Sequence, residues 1–200
     1  PQSIDAYAAM FATHMAGGIY CPLNIEYPVN RKRQILKMFE PDLIITRANL
    51  EDGLATNISN SRLLNLENLT DNSPLGLPLA AHELAYVMFT SGSTGQPKGV
   101  MIGQNALSHY IDWAGRAMAI TPYDRWSQHP NIGFDLSVLD IYGALCHGAC
   151  LYPIKGVRGR LVPAECIDEF QLTIWNSVPS VVDVMAKRNQ LTSANLASLR

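Results

Sequence analysis

The sequence predicts an α/β fold of layered sheets, mainly parallel, with flanking helices. Short apolar runs alternate with longer amphipathic stretches along all 200 residues, which is the pattern of repeated β-α units. Hydrophobic residues make up 48% of the chain and charged residues 16%, so a large core can form. Pro and Gly separate many of these runs and mark their ends.

In the first half of the chain, residues 3–15 predict a helix that has Ser3 as N-cap and ends at Gly17-Gly18. A less regular stretch, 57–82, predicts mainly a surface connection. The remaining elements are a strand at 19–23, a helix at 30–39, and strands at 43–46 and 62–66.

The second half predicts a more regular alternation of strands and helices. Pro179 suits the first turn of the last helix in this series. The predicted strands cover 84–89, 100–102, 126–129, 149–152 and 172–175, and the predicted helices cover 104–118, 136–145, 163–170 and 178–187. A further helical stretch at 194–200 suggests that the chain is a piece of a longer protein.

Composition narrows the class of protein. The net charge of −2 does not favour a nucleic-acid or membrane partner. No apolar run is long enough for a transmembrane helix, and no signal-peptide pattern is present, so we expect a cytoplasmic protein. The four cysteines contain no Cys-x-x-Cys pair and are interpreted as reduced core residues: Cys21, Cys146, Cys150 and Cys166.

The segment that follows the strand at 84–89 carries the strongest functional signal. The apolar run Tyr86–Phe89 leads into Thr90-Ser-Gly-Ser-Thr-Gly95, then Gln96 and Pro97-Lys-Gly99. Such a loop offers backbone N–H groups, hydroxyl donors and one ammonium to a common point, as a polyphosphate requires. Gly92, Gly95 and Gly99 would allow positive φ and close approach of the ligand. The spacing differs from a Walker A motif, and a plain polar turn is the alternative.

The whole string resembles the phosphate-binding signature of the adenylate-forming superfamily, which includes acyl-CoA synthetases and the adenylation domains of nonribosomal peptide synthetases. The resemblance implies ATP as a substrate. Two roles for Lys98 stay open, contact with ATP or neutralisation of the loop. The implied binding residues for the β- and γ-phosphates are Thr90, Ser91, Gly92, Ser93, Thr94, Gly95 and Lys98.

The segment Gly133–Leu145 contains Phe134-Asp-Leu-Ser-Val138. From the residues alone, Asp135 would cap the predicted helix. The string also resembles the Phe-Asp-x-Ser-Val motif of amino-acid adenylation domains. A second segment resembles a different motif of the same domains: Ala16-Gly-Gly-Ile-Tyr-Cys-Pro-Leu-Asn-Ile-Glu-Tyr-Pro28. The resemblance implies that Asp135 pairs with the substrate α-ammonium, which fits the cost of burying an unmatched carboxylate. It also implies that Phe134 lines the carboxylate path.

A second carboxylate, Asp140, lies five residues further on, which rotates it by about 140° around the helix. We therefore interpret Asp140 as structural or surface-exposed. The segment Leu172–Ser180 resembles the family segment in which a strand end lines the substrate pocket, with Asn176 at the pocket position. The Asn176 amide could form a hydrogen bond with the substrate, or it could only stabilise the turn after the strand. Asp135, Leu136, Leu139 and Asn176 then form a partial substrate pocket for a small or moderately apolar side chain.

The resemblance covers residues 1–200 as part of the family's large N-terminal subdomain, without the C-terminal subdomain. It implies activation of an α-amino acid by ATP with Mg²⁺, and thioester transfer to a phosphopantetheinyl carrier protein. The family's Tyr-Gly-Pro-Thr-Glu segment is outside these residues, so we expect the chain alone to be inactive. The alternatives are a fragment of an acyl- or aryl-CoA ligase and a non-catalytic nucleotide-binding or scaffolding module.

Overall fold

Helices and strands alternate along the chain largely as the sequence predicts. The structure is a computed structural model that describes residues 2–47, 54, 61–69, 83–91, 96–156, 159 and 162–200. The described helices are α1 Ile4–Met15, α2 Val29–Phe39, α3 Gln104–Ala117, α4 Leu136–Cys146, α5 Pro163–Glu169 and α6 Pro179–Lys187. The described strands are β1 Leu43–Thr46, β2 Arg62–Asn65, β3 Leu84–Ser91, β4 Pro97–Gly103, β5 Arg125–Gln128 and β6 Cys150–Pro153.

The chain divides into two compact units, of which the first comprises Ser3–Gln104. Here β1 pairs with β2 in parallel, and β3 pairs with β4 antiparallel. Ser3 caps α1 as predicted, because its Oγ accepts the N–H of Ala6 at 3.2 Å. The strand predicted at 19–23 is reduced to one parallel bridge between Tyr20 and Tyr86.

The second unit contains Asn105–Arg200. Its central strand β5 pairs in parallel with β6 on one side. On the other side, Trp126 bridges Ile174 in parallel, so the strand predicted at 172–175 is also reduced to a bridge. Parallel pairing therefore predominates among the described strands, as the fold class requires, and β3–β4 is the antiparallel exception.

Helix α4 lies deep in the second unit. Its sequence is apolar almost throughout, and buried residues occur on all sides of it, including Val138, Ile141 and Ala144. Trp126 of β5 is fully buried and packs with Ala144. Close packing fixes the helix against the sheet, since Cβ on Gly143 would lie 3.1 Å from the Trp126 ring. The C-terminal half of α4 is thereby held against β5.

Two predictions about the remaining residues are wrong. The stretch 194–200 forms turns rather than a helix. Cys146 and Cys150 are exposed, whereas the sequence analysis placed all four cysteines in the core. Among the described helices, none has the length and apolar character needed to cross a membrane.

Candidate functional site

The first group of candidate site residues lies on the β3–β4 hairpin. The apolar run of β3 is buried as predicted, from Tyr86 at 6% exposure to Phe89 at 9%. The strand continues beyond it through Thr90 and Ser91, which are exposed. Strand β4 begins earlier than predicted, at Pro97, so that Lys98 lies inside the ladder and not in a free loop.

Cross-strand pairing fixes the position of Lys98. Its Cα is the register partner of Thr90, and Ser91 pairs with Pro97. Directly opposed residues of an antiparallel pair project from the same face of the sheet. Thr90 and Lys98 are both exposed, so the hairpin presents a hydroxyl and an ammonium side by side next to its connecting loop. Within the described residues, no carboxylate forms a salt bridge with Lys98.

Gly99 serves the hairpin differently from the prediction of a positive φ. It lies within β4, and it is absent from the residues with positive φ. Instead, Gly99 is the register partner of Phe89, and a Cβ there would lie 3.3 Å from Phe89 Cζ and 3.2 Å from Val87 Cγ1. A side chain at position 99 would therefore require Val87 and Phe89 to shift by a few tenths of an ångström.

The centre of the loop, Gly92, Ser93, Thr94 and Gly95, lies outside the described residues. Their assignment as phosphate-binding residues stays a prediction. The described donors beside the loop, Thr90, Ser91 and Lys98, suit a polyphosphate in type and charge. In the described part of the chain, no group of three His, Cys, Asp or Glu side chains could hold a metal ion.

The second group surrounds the N-terminal end of α4. Asp135 is the N-cap of this helix, and its Oδ1 accepts the N–H of Leu136 at 2.8 Å. This is the capping role that the residues alone predict. The carboxylate is exposed rather than enclosed by apolar residues, so the burial argument for a matching cation does not hold within this chain. Asp135 is therefore open to an approaching ligand.

Phe134 and the two pocket leucines differ in their surroundings. The Phe134 ring is 60% exposed, unusually open for an aromatic side chain. Leu136 is half-buried at the helix start. Leu139 packs on the cluster formed by Trp126, Ala144 and Ile174, so part of its side chain belongs to the core. Their assignment to the carboxylate path and to a substrate pocket stays a prediction.

Of the two interpretations of Asp140 from the sequence, structural or surface-exposed, the structure excludes the second. Asp140 is fully buried, not surface-exposed. Its Oδ1 accepts hydrogen bonds from Trp126 Nε1 at 3.2 Å and from Asn176 Nδ2 at 2.9 Å. Burial raises the pKa of Asp140 to about 8, although these two donors act in the opposite direction. A lone carboxylate in an otherwise apolar helix was the available signal.

Asn176 lies two residues after Ile174, which forms the bridge with Trp126. Its backbone N–H donates to Ser127 Oγ at 3.3 Å, while its side chain donates to Asp140. The strand end and α4 are thus joined through polar contacts, and the sequence-predicted residues Asn176 and Leu139 lie on neighbouring elements. In parallel sheets, the carboxyl ends of strands are where ligands gather.

A second buried carboxylate, Asp124, precedes β5 and is 3% exposed. Arg200 clamps it from two sides, with Nε 2.7 Å from Oδ1 and Nη2 2.7 Å from Oδ2. Thr173 Oγ1 donates to Oδ1 at 2.7 Å, and Thr121 donates its N–H and hydroxyl to Oδ2. The Arg200 guanidinium, above all, holds the pKa of Asp124 well below its usual range. This cluster fixes the segment that leads from Thr173 to Asn176.

Comparison with protein families gives one match over the full chain. Residues 1–200 match the family model described as AMP-binding enzyme. The chain is 33% identical over 213 residues to the L-proline--[L-prolyl-carrier protein] ligase of Pseudomonas fluorescens. That alignment covers 100% of this chain and 43% of the ligase, so the chain spans less than half the length of this relative.

Comparison with solved structures gives similar proteins. The chain resembles the Vibrio cholerae adenylation domain AlmE in complex with glycyl-adenosine-5'-phosphate, with TM-score 0.78 and 28% identity over 99% of this chain and 43% of that one. It also resembles the nonribosomal peptide synthetase FmoA3 in its AMPPNP-bound form. There the TM-score is 0.81 and the identity 27%, over 98% of this chain and 21% of that one.

Proposed function

The chain belongs to the AMP-binding enzyme family, and on that premise we propose that the enzyme containing it activates an α-amino acid with ATP. A carboxylate oxygen of the amino acid attacks the α-phosphorus of ATP, and pyrophosphate leaves. The thiol of a phosphopantetheinyl carrier protein then attacks the acyl carbon, giving a thioester and releasing AMP. The first step depends mainly on positioning and on neutralising charge on phosphoryl oxygens.

The observation that carries the proposal is the pairing of Thr90 with Lys98. It presents a hydroxyl and an ammonium together beside the Ser/Gly-rich loop, and Ser91 adds a second hydroxyl. These groups fit the β- and γ-phosphates of ATP, and a metal such as Mg²⁺ would share that charge. The relatives support the substrate class, since one is named as a prolyl-carrier protein ligase and AlmE was crystallised with glycyl-adenosine-5'-phosphate.

Asp135 is the proposed anchor for the substrate α-ammonium. Its carboxylate is exposed at the start of α4 and forms no salt bridge within the described residues, so it can take up a cation. A fatty acid or aryl acid without an amino group would gain nothing from it. Asp135 therefore separates amino-acid substrates from other carboxylic acids.

Amino-acid-dependent ATP–pyrophosphate exchange by the full-length enzyme tests the proposal, with a panel of L- and D-amino acids. We expect one or a few amino acids to respond, and a phosphopantetheinyl carrier protein to be loaded with the same ones. Exchange only with fatty or aryl acids would instead establish an acyl- or aryl-CoA ligase. Nucleotide binding without any exchange would indicate a non-catalytic module.

The variant Asp135→Asn separates the ammonium contact from helix capping. Asn caps a helix about as well as Asp, so the thermal midpoint should be preserved. Loss of a charge-assisted contact worth about 1.5–3 kcal/mol should lower kcat/KM for the amino acid by roughly 10- to 100-fold. Asp112→Asn, at an exposed position of α3, is the control. Full activity of Asp135→Asn would exclude the anchoring role.

Lys98→Met tests the two roles that stay open for this lysine. If Lys98 contacts ATP, the KM for ATP should rise or the exchange rate should fall by roughly 10- to 100-fold. If it only neutralises the loop, the change should be small and should diminish further at high salt. The assignment of residues 1–200 to an N-terminal subdomain, and the cytoplasmic location, stay predictions.

A further inference from the structure

We propose that Asp140 is a positioning residue for substrate selection: it orients the Asn176 amide so that Asn176 Oδ1 faces the bound amino acid as a hydrogen-bond acceptor. The inference deepens the proposed function and rests on it for the location of the substrate. The sequence analysis left Asn176 with two possible roles and gave Asp140 none.

The orientation follows from the donors around one oxygen. An indole N–H can only donate, so Asp140 Oδ1 must act as an acceptor toward Trp126 Nε1, 3.2 Å away. Oδ1 is an acceptor toward Asn176 as well when the carboxyl group is charged, or when its proton is on Oδ2. The Asn176 group that faces the same Oδ1 at 2.9 Å must then also be a donor. A flipped amide would then bring two acceptor oxygens together, and only a proton on Oδ1 could join them.

The backbone of Asn176 is held as well. Its N–H donates to Ser127 Oγ at 3.3 Å, and the preceding Ile174 forms the parallel bridge with Trp126. With the backbone and the Nδ2 end both fixed, Oδ1 is the remaining polar atom of the side chain. Asn176 is partly exposed at the strand end, so this oxygen can meet a ligand there.

The N–H groups of Trp126 and Asn176 require an acceptor at position 140, but they do not require a carboxyl group rather than an amide. The site is fully buried, and the described residues provide no cation beside it. Burying such a group costs free energy that an apolar side chain of similar volume would avoid. Orienting Asn176 gives the acceptor at position 140 a use beyond satisfying the Trp126 N–H.

The chemistry recognised is a hydrogen-bond donor on the amino acid. The donor can be a hydroxyl or amine of the substrate side chain, or the α-ammonium itself. Leu136 and Leu139 offer only apolar contacts, so Asn176 Oδ1 would be the polar discriminator among these pocket residues. Removing the acceptor on Asp140 would let the amide rotate and present either end.

The test is a double-mutant cycle in the full-length enzyme, read by ATP–pyrophosphate exchange. Asp140→Leu removes the acceptor, Asp140→Asn keeps an acceptor oxygen in place, and Asn176→Leu removes the oriented amide. Threonine and valine form a matched substrate pair, since they differ in a hydroxyl and a methyl group of similar size. Serine and 2-aminobutyrate form a second pair for a smaller pocket.

For a side-chain donor, Asp140→Leu should lower the ratio of kcat/KM between the paired substrates by about tenfold, the worth of one hydrogen bond. Asp140→Asn should leave the ratio unchanged. For the α-ammonium, Asp140→Leu should instead raise KM about equally for all amino acids. In both cases Asp140→Leu should add little in the Asn176→Leu background.

Equal effects of Asp140→Leu with and without Asn176 would overturn the proposal, and so would an unchanged ratio and KM. If Asp140→Leu does not fold, Asp140→Ala replaces it, because water can then enter the polar site. Exchange by the wild-type enzyme distinguishes failure of the proposed function from failure of the proposed role of Asp140. If it shows no exchange with any amino acid, the proposed function fails; if it is active without coupling, only the role of Asp140 fails.

Discussion

Two buried aspartates in the second unit have opposite electrostatic surroundings. Asp124 has the Arg200 guanidinium on both carboxylate oxygens and further donors from Thr121 and Thr173. The donors to Asp140 are neutral: Trp126 Nε1 and Asn176 Nδ2, which bind the same oxygen, and the backbone N–H of His129. The pKa is accordingly depressed for Asp124 and raised to about 8 for Asp140. Burial alone therefore does not decide the charge of a carboxyl group; the presence of a cation does.

The comparison also separates structure from selectivity. The Asp124 cluster satisfies its charge internally and joins residues distant in sequence, which is what a structural clamp requires. Asp140, with its raised pKa, is largely uncharged near pH 7. It lies beside the strand end where Asn176 borders the proposed pocket. Perturbed carboxyl groups of this kind are concentrated at functional sites.

The largest effect is expected when the clamp, the ion pair between Asp124 and Arg200, is broken. Asp124→Asn removes the charge that pairs with Arg200, and leaves the guanidinium facing a neutral amide. We expect a loss of about 3 kcal/mol in the free energy of unfolding, because breaking a well-made ion pair from one side is costly. Urea unfolding of the full-length enzyme measures it, with Asp112→Asn as the exposed control. A loss no larger than that of the control would show that the clamp contributes nothing.

A smaller loss is expected at Asp140. Asp140→Leu leaves Trp126 Nε1 and Asn176 Nδ2 without an acceptor, which costs about 2 kcal/mol after the gain from an apolar side chain. Asp140→Asn keeps the acceptor and should change the free energy of unfolding by less than about 1 kcal/mol. Urea unfolding of both variants measures this. If Asp140→Asn proved as destabilising as Asp140→Leu, the negative charge would matter and the comparison would fail.

The two aspartates should give pH dependences of opposite sign. The pKa of Asp124 is lower in the folded state than in the unfolded chain, so its stabilisation is present above pH 4 and is lost as the pH falls. The pKa of Asp140 is higher when folded, so stability falls as the pH rises from about 4 through 8. Thermal midpoints between pH 3 and pH 9 measure both slopes. Asp124→Asn should flatten the slope below pH 4 only, and Asp140→Asn the slope between pH 4 and pH 8 only.

The smallest effect concerns the donors around Asp124. Thr173 Oγ1 donates to Asp124 Oδ1 at 2.7 Å and accepts the N–H of Arg125 at 3.0 Å. Thr173→Val keeps the shape and removes both hydrogen bonds, with an expected loss of about 1 to 2 kcal/mol in the free energy of unfolding. Ser193→Ala, at an exposed position, is the matched control. A loss equal to that of Asp124→Asn would mean that Thr173, not Arg200, dominates the clamp.

Local patterns predicted the elements that depend on local physics. Helices α1 to α6 lie close to their predicted bounds, since amphipathic periodicity and caps such as Ser3 act within a few residues. The strands predicted at 19–23 and 172–175 became single bridges. Pairing of a strand depends on which partner lies beside it, and an apolar run alone does not specify that.

The candidate site shows the same limit. The motif around Thr90 was recognisable, but the pairing of Thr90 with Lys98 depends on where β4 begins. Asp140 was set aside on helical rotation, a valid argument that it faces away from Asp135. Its contacts with Trp126 and Asn176 join residues 14 and 36 positions apart, which no spacing rule within one helix could reveal.

The clamp also imposes an order of events on protein synthesis. Asp124 and Arg200 are 76 residues apart, so the carboxylate is made long before its partner. At about 5–20 residues per second, translation leaves Asp124 without the guanidinium for roughly 4 to 15 s. During that interval the segment around β5 lacks its main electrostatic partner. We therefore expect the second unit to complete its fold only after Arg200 has emerged from the ribosome.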